Sequence, residues 1–235
     1  MTPGLRNNLA IYDEYADRRW SDEIRWVRTL KNMVPGRLRY FAQFTDWAGQ
    51  TVLDLGCAGG FMAEALQERG ALVQGSDPAQ DAIAAARRHA AAEGRDIEYQ
   101  VGVGEALPYA SASFDVVVCV DVLEHVQDLP KVIAEIARVL KPGGLFCFDT
   151  INRNRLASFV AVTLAESVLR LLPKGTHDPA MFIRPDELLP ILEAVGLHPG
   201  ELTGLGPRGI NRRGDFVFGT LPLTTIIYMG TSRKA

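Results

Sequence analysis

The sequence predicts an α/β fold in which a mostly parallel sheet carries helices on both faces. From residue 51 onwards, short apolar runs alternate with helical patterns, as in a chain of βαβ units. The run Val52–Leu55 leads into a glycine-rich turn, Gly56–Gly60, and Asp77 follows about one βα unit later. A strand, a tight turn and an acid in this order build a pocket for a cofactor that contains a nucleoside.

The boundaries of the predicted elements follow from glycine and proline signals at their ends, such as Gly70, Gly94 and Pro142-Gly143-Gly144. The turn Pro207–Gly214 joins the last two predicted strands into an antiparallel hairpin at the sheet edge. The predicted strands are Thr51–Leu55, Leu72–Ser76, Ile97–Val101, Phe114–Val120, Leu145–Asp149, Leu197–Leu205 and Phe216–Met229, and the predicted helices are Met62–Arg69, Ala79–Ala92, Leu129–Leu140 and Pro185–Val195.

The sequence before the first strand predicts a helical cap that covers residues 1–48. The sheet domain then covers residues 49–235. Aromatic and charged residues mix between Leu9 and Leu30, Pro35-Gly36 breaks the pattern, and Arg37–Trp47 forms a second helical segment. Within the sheet domain, residues 153–180 form an insertion. Its long apolar stretch, Leu156–Leu172, is flanked by basic residues and predicts either a lid or a membrane-contact helix.

Composition narrows the class of protein. The 235 residues carry a net charge of −3, which argues against general nucleic-acid binding. The three cysteines lie in or beside apolar runs and predict reduced core residues. The polar start, Met1–Asn8, lacks an apolar signal region. We therefore expect a cytoplasmic protein, with peripheral contact at the inner membrane face as a further expectation.

The glycine-rich turn discriminates between two cofactors. The fingerprint of a nicotinamide dinucleotide site requires glycine at three positions, which in this chain are Gly56, Ala58 and Phe61. Only the first of these is glycine. S-adenosylmethionine has no pyrophosphate and needs an acceptor near its ammonium group, which Asp54 supplies. Asp77 is placed to accept hydrogen bonds from a ribose diol. The turn therefore favours S-adenosylmethionine, and a nicotinamide oxidoreductase is the weaker alternative.

Two sets of segments carry a resemblance to known families. The broad motifs are Val52–Gly60, Asp77, Leu107–Tyr109, Ser113–Val117, Leu123–Val126 and Leu140–Gly144, and the narrower ones are Thr150–Asn154, Leu172–Asp178, Phe182-Ile183 and Thr203–Leu205. The broad motifs resemble those of class I methyltransferases, although Ala58 replaces the middle glycine often found in that family, and this resemblance implies a Rossmann-like methyltransferase sheet. The narrower segments are similar to those of the ubiquinone-biosynthesis O-methyltransferase family.

This resemblance implies methyl transfer to a phenolic oxygen of a prenylated catechol in a protein that touches the membrane. Family cofactor contacts match Arg37, Gly56, Asp77 and Val120. Arg37 suits the cofactor carboxylate because a guanidinium forms a fork of donors. The remaining candidate cofactor positions are Asp54, Ala58 and Gly60 in and before the turn, Pro78 beside the acid, and Val103, Gly104 and Glu105 near the adenine.

A phenol has a pKa near 10 and needs a base or a metal to lose its proton. If Asp121–His125 is helical, Asp121, Glu124 and His125 lie on one face and suit a divalent cation such as Mg²⁺. The resemblance also points to metal at these positions. His125 acting alone as a base, and a purely structural role, stay open. His177 is a second candidate for acceptor contact, or a turn residue held by Asp178.

These observations predict an S-adenosylmethionine-dependent O-methyltransferase that acts on a phenolic or catechol hydroxyl of a small molecule. Two alternatives remain open at this stage. One is a small-molecule methyltransferase of secondary metabolism. The other is a protein that binds the cofactor without turning it over, although such a protein has no need of Asp121, Glu124 and His125.

Overall fold

The computed structural model describes residue 20 and residues 23–168, 171 and 176–235. The strands are β1 (Thr51–Leu55), β2 (Leu72–Asp77), β3 (Glu98–Val101), β4 (Phe114–Cys119), β5 (Leu140–Ile151), β6 (Leu197–Pro199), β7 (Thr203–Ile210), β8 (Phe216–Leu221) and β9 (Ile227–Lys234). The helices are α1 (Arg25–Phe41), α2 (Phe61–Gln67), α3 (Gln80–Ala92), α4 (Leu129–Val139), α5 (Arg155–Ser158) and α6 (Pro185–Ala194).

These strands form one sheet in the order β3-β2-β1-β4-β5-β9-β7-β8, with β6 paired to β9. The first five strands in this order, β1 to β5, are parallel to one another. Helices cover both faces: Val52 packs with residues of α1 and α2, whereas its neighbour Leu53 packs with residues of α4 and α6. The predicted α/β fold is therefore confirmed, and the carboxyl ends of the parallel strands meet at one edge.

The antiparallel part of the sheet is more finely divided than the sequence predicted. The first predicted strand splits into β6 and β7, because the Pro199-Gly200 pair interrupts it. The second splits into β8 and β9 around a loop at residues 222–226. β9 inserts between β5 and β7. The predicted hairpin is confirmed as the antiparallel pair β7–β8.

The predicted helix break at Pro35-Gly36 is wrong, because α1 runs through both residues. A Cβ on Gly36 would lie 2.8 Å from the carbonyl oxygen of Phe218 in β8. The glycine therefore lets the helix backbone approach the strand closely, and tertiary packing outweighs its low helix propensity. The helix predicted for the region from Leu9 lies partly outside the described residues, and the 1–48 boundary remains a prediction.

The predicted helix Leu156–Leu172 is shorter than expected and changes type. It begins as α5 and continues as a π-helix over Phe159–Val168. Part of the remaining insertion, including Lys174, lies outside the described residues. Among the helices that the structure describes, none is both long and apolar enough to cross a bilayer.

The close packing of α1 on β8 predicts that Gly36→Leu destabilises the protein. Its side chain would meet backbone atoms of Phe218 and Gly219, and such overpacking costs roughly 1–3 kcal/mol. Urea unfolding should show a matching fall in the free energy of unfolding. The control is Gly209→Leu in β7, where a Cβ meets nothing within 4 Å. Equal losses in the two variants would contradict this account.

Candidate active site

The glycine-rich turn after β1 adopts a conformation that few side chains tolerate. Gly56, Ala58 and Gly60 have φ values of 75°, 45° and 92°. Ala58 is thus a non-glycine residue in the left-handed region, and its backbone N–H donates to Oδ2 of Asp77 at 2.8 Å. Oδ1 of Asp77 accepts from the backbone N–H of Ala79. The acid at the end of β2 therefore holds the turn.

Asp54 lies at the end of β1 with 1% of its surface exposed. Its Oδ2 has no hydrogen-bond partner among the described residues. Burial raises the pKa of Asp54 to about 7, and the nearby Asp77 adds to this effect while the Ala63 amide opposes it. A buried carboxyl oxygen without a partner is costly. The ammonium group of S-adenosylmethionine fits this position, and the residues present suit that cofactor.

Trp20 closes over the turn, a contact that no sequence motif signalled. Its indole Nε1 donates to the carbonyl oxygen of Gly59 at 3.0 Å. The ring stacks on His89, with centroids 3.6 Å apart, and meets Phe61 edge-on. Nδ1 of His89, a residue for which no role was predicted, lies 2.8 Å from Oε1 of Glu64. Trp20 therefore helps to hold the Gly59 peptide in place.

The segment after β3 carries the three residues predicted to lie near the adenine. Val103 is 46% exposed and pairs with Ala106 in an isolated bridge. A Cβ on Gly104 would meet Val132 at 3.2 Å. Glu105 accepts hydrogen bonds from the backbone of Gln127, so its carboxylate braces the start of α4. The exposed apolar surface of Val103 suits a nucleobase better than Glu105 does.

Arg37 is almost completely buried, at 2% exposure, and binds two carboxylates. Its Nε lies 2.5 Å from Oδ2 of Asp149, and its Nη2 lies 2.5 Å from Oδ1 of Asp121. Burial lowers the pKa of Arg37, but the two carboxylates outweigh it and the pKa is raised. Its predicted contact with the cofactor carboxylate is untested by this arrangement and remains a prediction. Val120, which directly precedes Asp121, is half-buried.

The expected helix over Asp121–His125 is wrong, and so is the single face it implied. Only Leu123–His125 forms a turn, of the 3₁₀ type, and Asp121 has a φ of 55°. The strained Asp121 directs its carboxylate to Arg37, whereas Glu124 accepts a hydrogen bond from Thr150 at 2.8 Å. Long-range pairing with Arg37 therefore separates Asp121 from its two predicted partners.

His177 takes the place expected for Asp121. Ligand atoms of Glu124, His125 and His177 lie within 4.8 Å of one another, and the two imidazole centroids are 5.4 Å apart. Nδ1 of His177 lies 2.9 Å from Oε1 of the buried Glu166. The sequence separation of Glu124 and His177 explains why no local motif revealed this group.

Burial favours the neutral forms of His125 and Glu124. Burial lowers the pKa of His125 to about 4, and the neighbouring His177 adds to the effect. Burial also raises the pKa of Glu124 to about 8, with a further contribution from Asp121. An uncharged imidazole can act as a metal ligand, whereas a base whose conjugate acid has so low a pKa removes a phenol proton poorly.

The fold and the turn can now be compared with known proteins. The model of the family described as "Methyltransferase domain" matches residues 53–148. Magnesium protoporphyrin IX methyltransferase from Synechocystis PCC 6803, solved with bound SAH, has a TM-score of 0.67 and 17% identity, covering 97% of this chain and 100% of that one. A possible histamine N-methyltransferase from Thermotoga maritima has a TM-score of 0.67 and 17% identity, covering 96% and 99%. These solved structures share the fold of this chain, and residues 53–148 form a methyltransferase domain by their match to the family model.

Relatives at higher identity define the family. The ubiquinone biosynthesis O-methyltransferase of Thiobacillus denitrificans is 42% identical over 200 residues, 84% of this chain and 85% of that protein. Its counterpart in Coxiella burnetii (strain CbuK_Q154) is 40% identical over 209 residues, 87% and 89%. The chain belongs to the ubiquinone biosynthesis O-methyltransferase family and is an enzyme.

The position of Asp77 predicts a large contribution to cofactor affinity. Asp77→Ala should weaken S-adenosylhomocysteine binding about ten- to hundredfold, because a charge-assisted hydrogen bond is worth roughly 1.5–3 kcal/mol. Isothermal titration calorimetry measures the change. The matched control is Asp96→Ala, an exposed acid ahead of β3, which should bind as the unmodified protein does. An unchanged affinity in Asp77→Ala would rule out the ribose assignment.

Proposed function

We propose that this enzyme methylates a phenolic oxygen of a catechol ring that carries a polyprenyl tail, a precursor of ubiquinone. The observation that carries the proposal is the group formed by Glu124, His125 and His177 at the carboxyl edge of the sheet. A phenol with a pKa near 10 attacks as its phenolate, so it needs a base or a metal that promotes loss of its proton. The names of the relatives support the same acceptor class.

In this proposal the cofactor lies across the turn after β1. Asp77 accepts from the ribose hydroxyls, Asp54 accepts from the ammonium group, and Arg37 binds the carboxylate. Ala58, Gly60 and Pro78 provide backbone contacts, and Val103 and Gly104 border the adenine. Methyl transfer from a sulfonium is an in-line displacement, so these residues must fix the methyl group on the line to the acceptor oxygen.

The same proposal assigns the acceptor side to the imidazole and carboxylate group. Glu124, His125 and His177 would hold a divalent cation, with Glu166 on the far nitrogen of His177 and Thr150 on Glu124, as outer partners commonly orient metal ligands. A bound cation would supply a lower pKa for the catechol hydroxyls. Asp121 stands outside this set because it pairs with Arg37. Two imidazoles and one carboxylate suit a borderline transition metal better than Mg²⁺.

Chelation tests the role of metal directly. Exhaustive treatment with a chelator should abolish transfer of labelled methyl to a catechol, and titration with Zn²⁺, Mn²⁺ or Mg²⁺ should restore it. His177→Ala should lower kcat by about a hundredfold, whereas His198→Ala, an exposed residue on β6, should not change it. Activity that survives chelation but is lost in His125→Ala would assign a metal-free base instead. Full activity in both His125→Ala and His177→Ala would reject the whole group.

We further propose that residues 153–180 contact the membrane while covering the acceptor. Leu156 and Phe159 are 52% and 56% exposed, whereas Ala157 and Ala161 are buried. One side of this segment thus packs on the protein while the other presents apolar surface. Arg153 and Arg155 precede it, as expected of a segment that meets anionic headgroups. A polyprenyl acceptor resides in the bilayer, so this contact would shorten its path.

Co-sedimentation with anionic liposomes tests this contact. The enzyme should bind at low salt and dissociate at high salt, and Arg153→Glu with Arg155→Glu should abolish binding. Because Arg153 also pairs with Glu187, thermal unfolding must confirm that the variant is folded. The control is Arg39→Glu with Arg69→Glu, two exposed arginines outside residues 153–180. Binding that persists in the first variant would leave only the role of a lid.

A further inference from the structure

We propose that Asp149 is a positioning residue that links the cofactor side of the site to the acceptor side. The inference rests on the proposed roles of Arg37, Glu124 and His125. The two carboxylate oxygen atoms of Asp149 accept hydrogen bonds from different parts of the chain. Oδ2 accepts from Nε of Arg37 on α1 at 2.5 Å, and Oδ1 accepts from the backbone N–H of Asp121 after β4 at 2.8 Å.

The contact between Asp149 and Arg37 is buried, so its geometry is tightly constrained. Asp149 is 0% exposed in β5, where it pairs with Met229 of β9, and Arg37 is 2% exposed. A buried guanidinium whose partner is removed leaves an uncompensated charge, so the pair cannot separate cheaply. The sheet therefore holds Asp149 rigidly, and Asp149 in turn fixes the guanidinium that the proposed function assigns to the cofactor carboxylate.

The second oxygen acts on the backbone of the acceptor side. Asp121 is a non-glycine residue with a φ of 55°, a conformation that persists only where the surroundings enforce it. The hydrogen bond from its N–H to Asp149 is such an enforcement. Glu124 and His125 follow within four residues, so their direction depends on this conformation. The next residue of β5, Thr150, donates to Glu124 and braces the same segment further along.

One carboxylate therefore sets the relative placement of the two reactants. An error of about 1 Å in the position of a reacting group can cost roughly a hundredfold in rate, although each reactant still binds. Loss of Asp149 should accordingly reduce kcat more than it raises the KM of the acceptor. A residue that served stability alone would lower the melting temperature and leave kcat unchanged below it.

The test is Asp149→Asn, which keeps the shape and an oxygen for the Asp121 N–H but removes the charge opposite Arg37. At saturating cofactor and catechol, we expect kcat to fall about 10- to 100-fold, with the KM of the catechol within about twofold of its normal value. The matched control is Asp115→Asn. Asp115 lies near the start of β4 and binds Thr51 and Lys141, far along the strand from the site. The Asp115→Asn enzyme should be less stable than the unmodified enzyme but should retain its kcat.

An Asp149→Asn enzyme that keeps its kcat within twofold, at a temperature where it is folded, would overturn the inference. So would an equal loss of kcat in Asp115→Asn. If the unmodified enzyme transfers no methyl group to any catechol, the proposed function fails instead. In that case S-adenosylhomocysteine binding still tests the role of Asp149. Asp149→Asn should weaken this binding, whereas Asp115→Asn should not.

Hydrogen exchange provides a second measurement if Asp149→Asn does not fold. In the unmodified protein, S-adenosylhomocysteine bound at Arg37 should slow exchange in α1 and also in residues 121–125, because Asp149 joins them. Protection that stops at the turn Gly56–Gly60 and α1, with none in residues 121–125, would contradict the link.

Discussion

The arrangement of this site depends on one buried guanidinium. Arg37 belongs to α1, yet its partners belong to β5 and to the segment after β4. A charge at this depth requires carboxylates around it, and one of them, Asp149, in turn holds the backbone at Asp121, just before Glu124 and His125. The helix that precedes the sheet is thus part of the site, and Gly36, one residue before Arg37, lets it approach β8 closely enough.

Much of the fold was predictable because its signals are local. The strands β1 to β4 and helices α2 to α4 have boundaries close to those expected from apolar runs and glycine stops. The errors arose where tertiary contacts override local propensity. Pro35 and Gly36 sit inside α1 because β8 packs against it. The late strands divide at Pro199-Gly200 and at residues 222–226, and β9 lies between β5 and β7.

The proposed cofactor side was easier to predict from the sequence than the proposed acceptor side. Asp54 and Asp77 each follow an apolar strand, and parallel strands bring their carboxyl ends together. No such rule relates Glu124 to His177, or Asp121 to Arg37, since those contacts depend on how distant segments pack. Trp20 and Asp149 belong to no motif from which their contacts could be predicted. Their importance appears only from the atoms they contact, the carbonyl of Gly59 and the guanidinium of Arg37.

The position of β9 also constrains the order in which the chain can fold. β5 lies between β4 and β9, pairing with the latter from Leu145↔Arg233 to Ile151↔Ile227, and β9 is the last of the described strands to be synthesised. Until it arrives, one side of β5 presents unpaired N–H and C=O groups beside the half-formed pocket. During translation the nascent chain therefore carries an open strand edge in its interior, a template for wrong pairing that only the final strand removes.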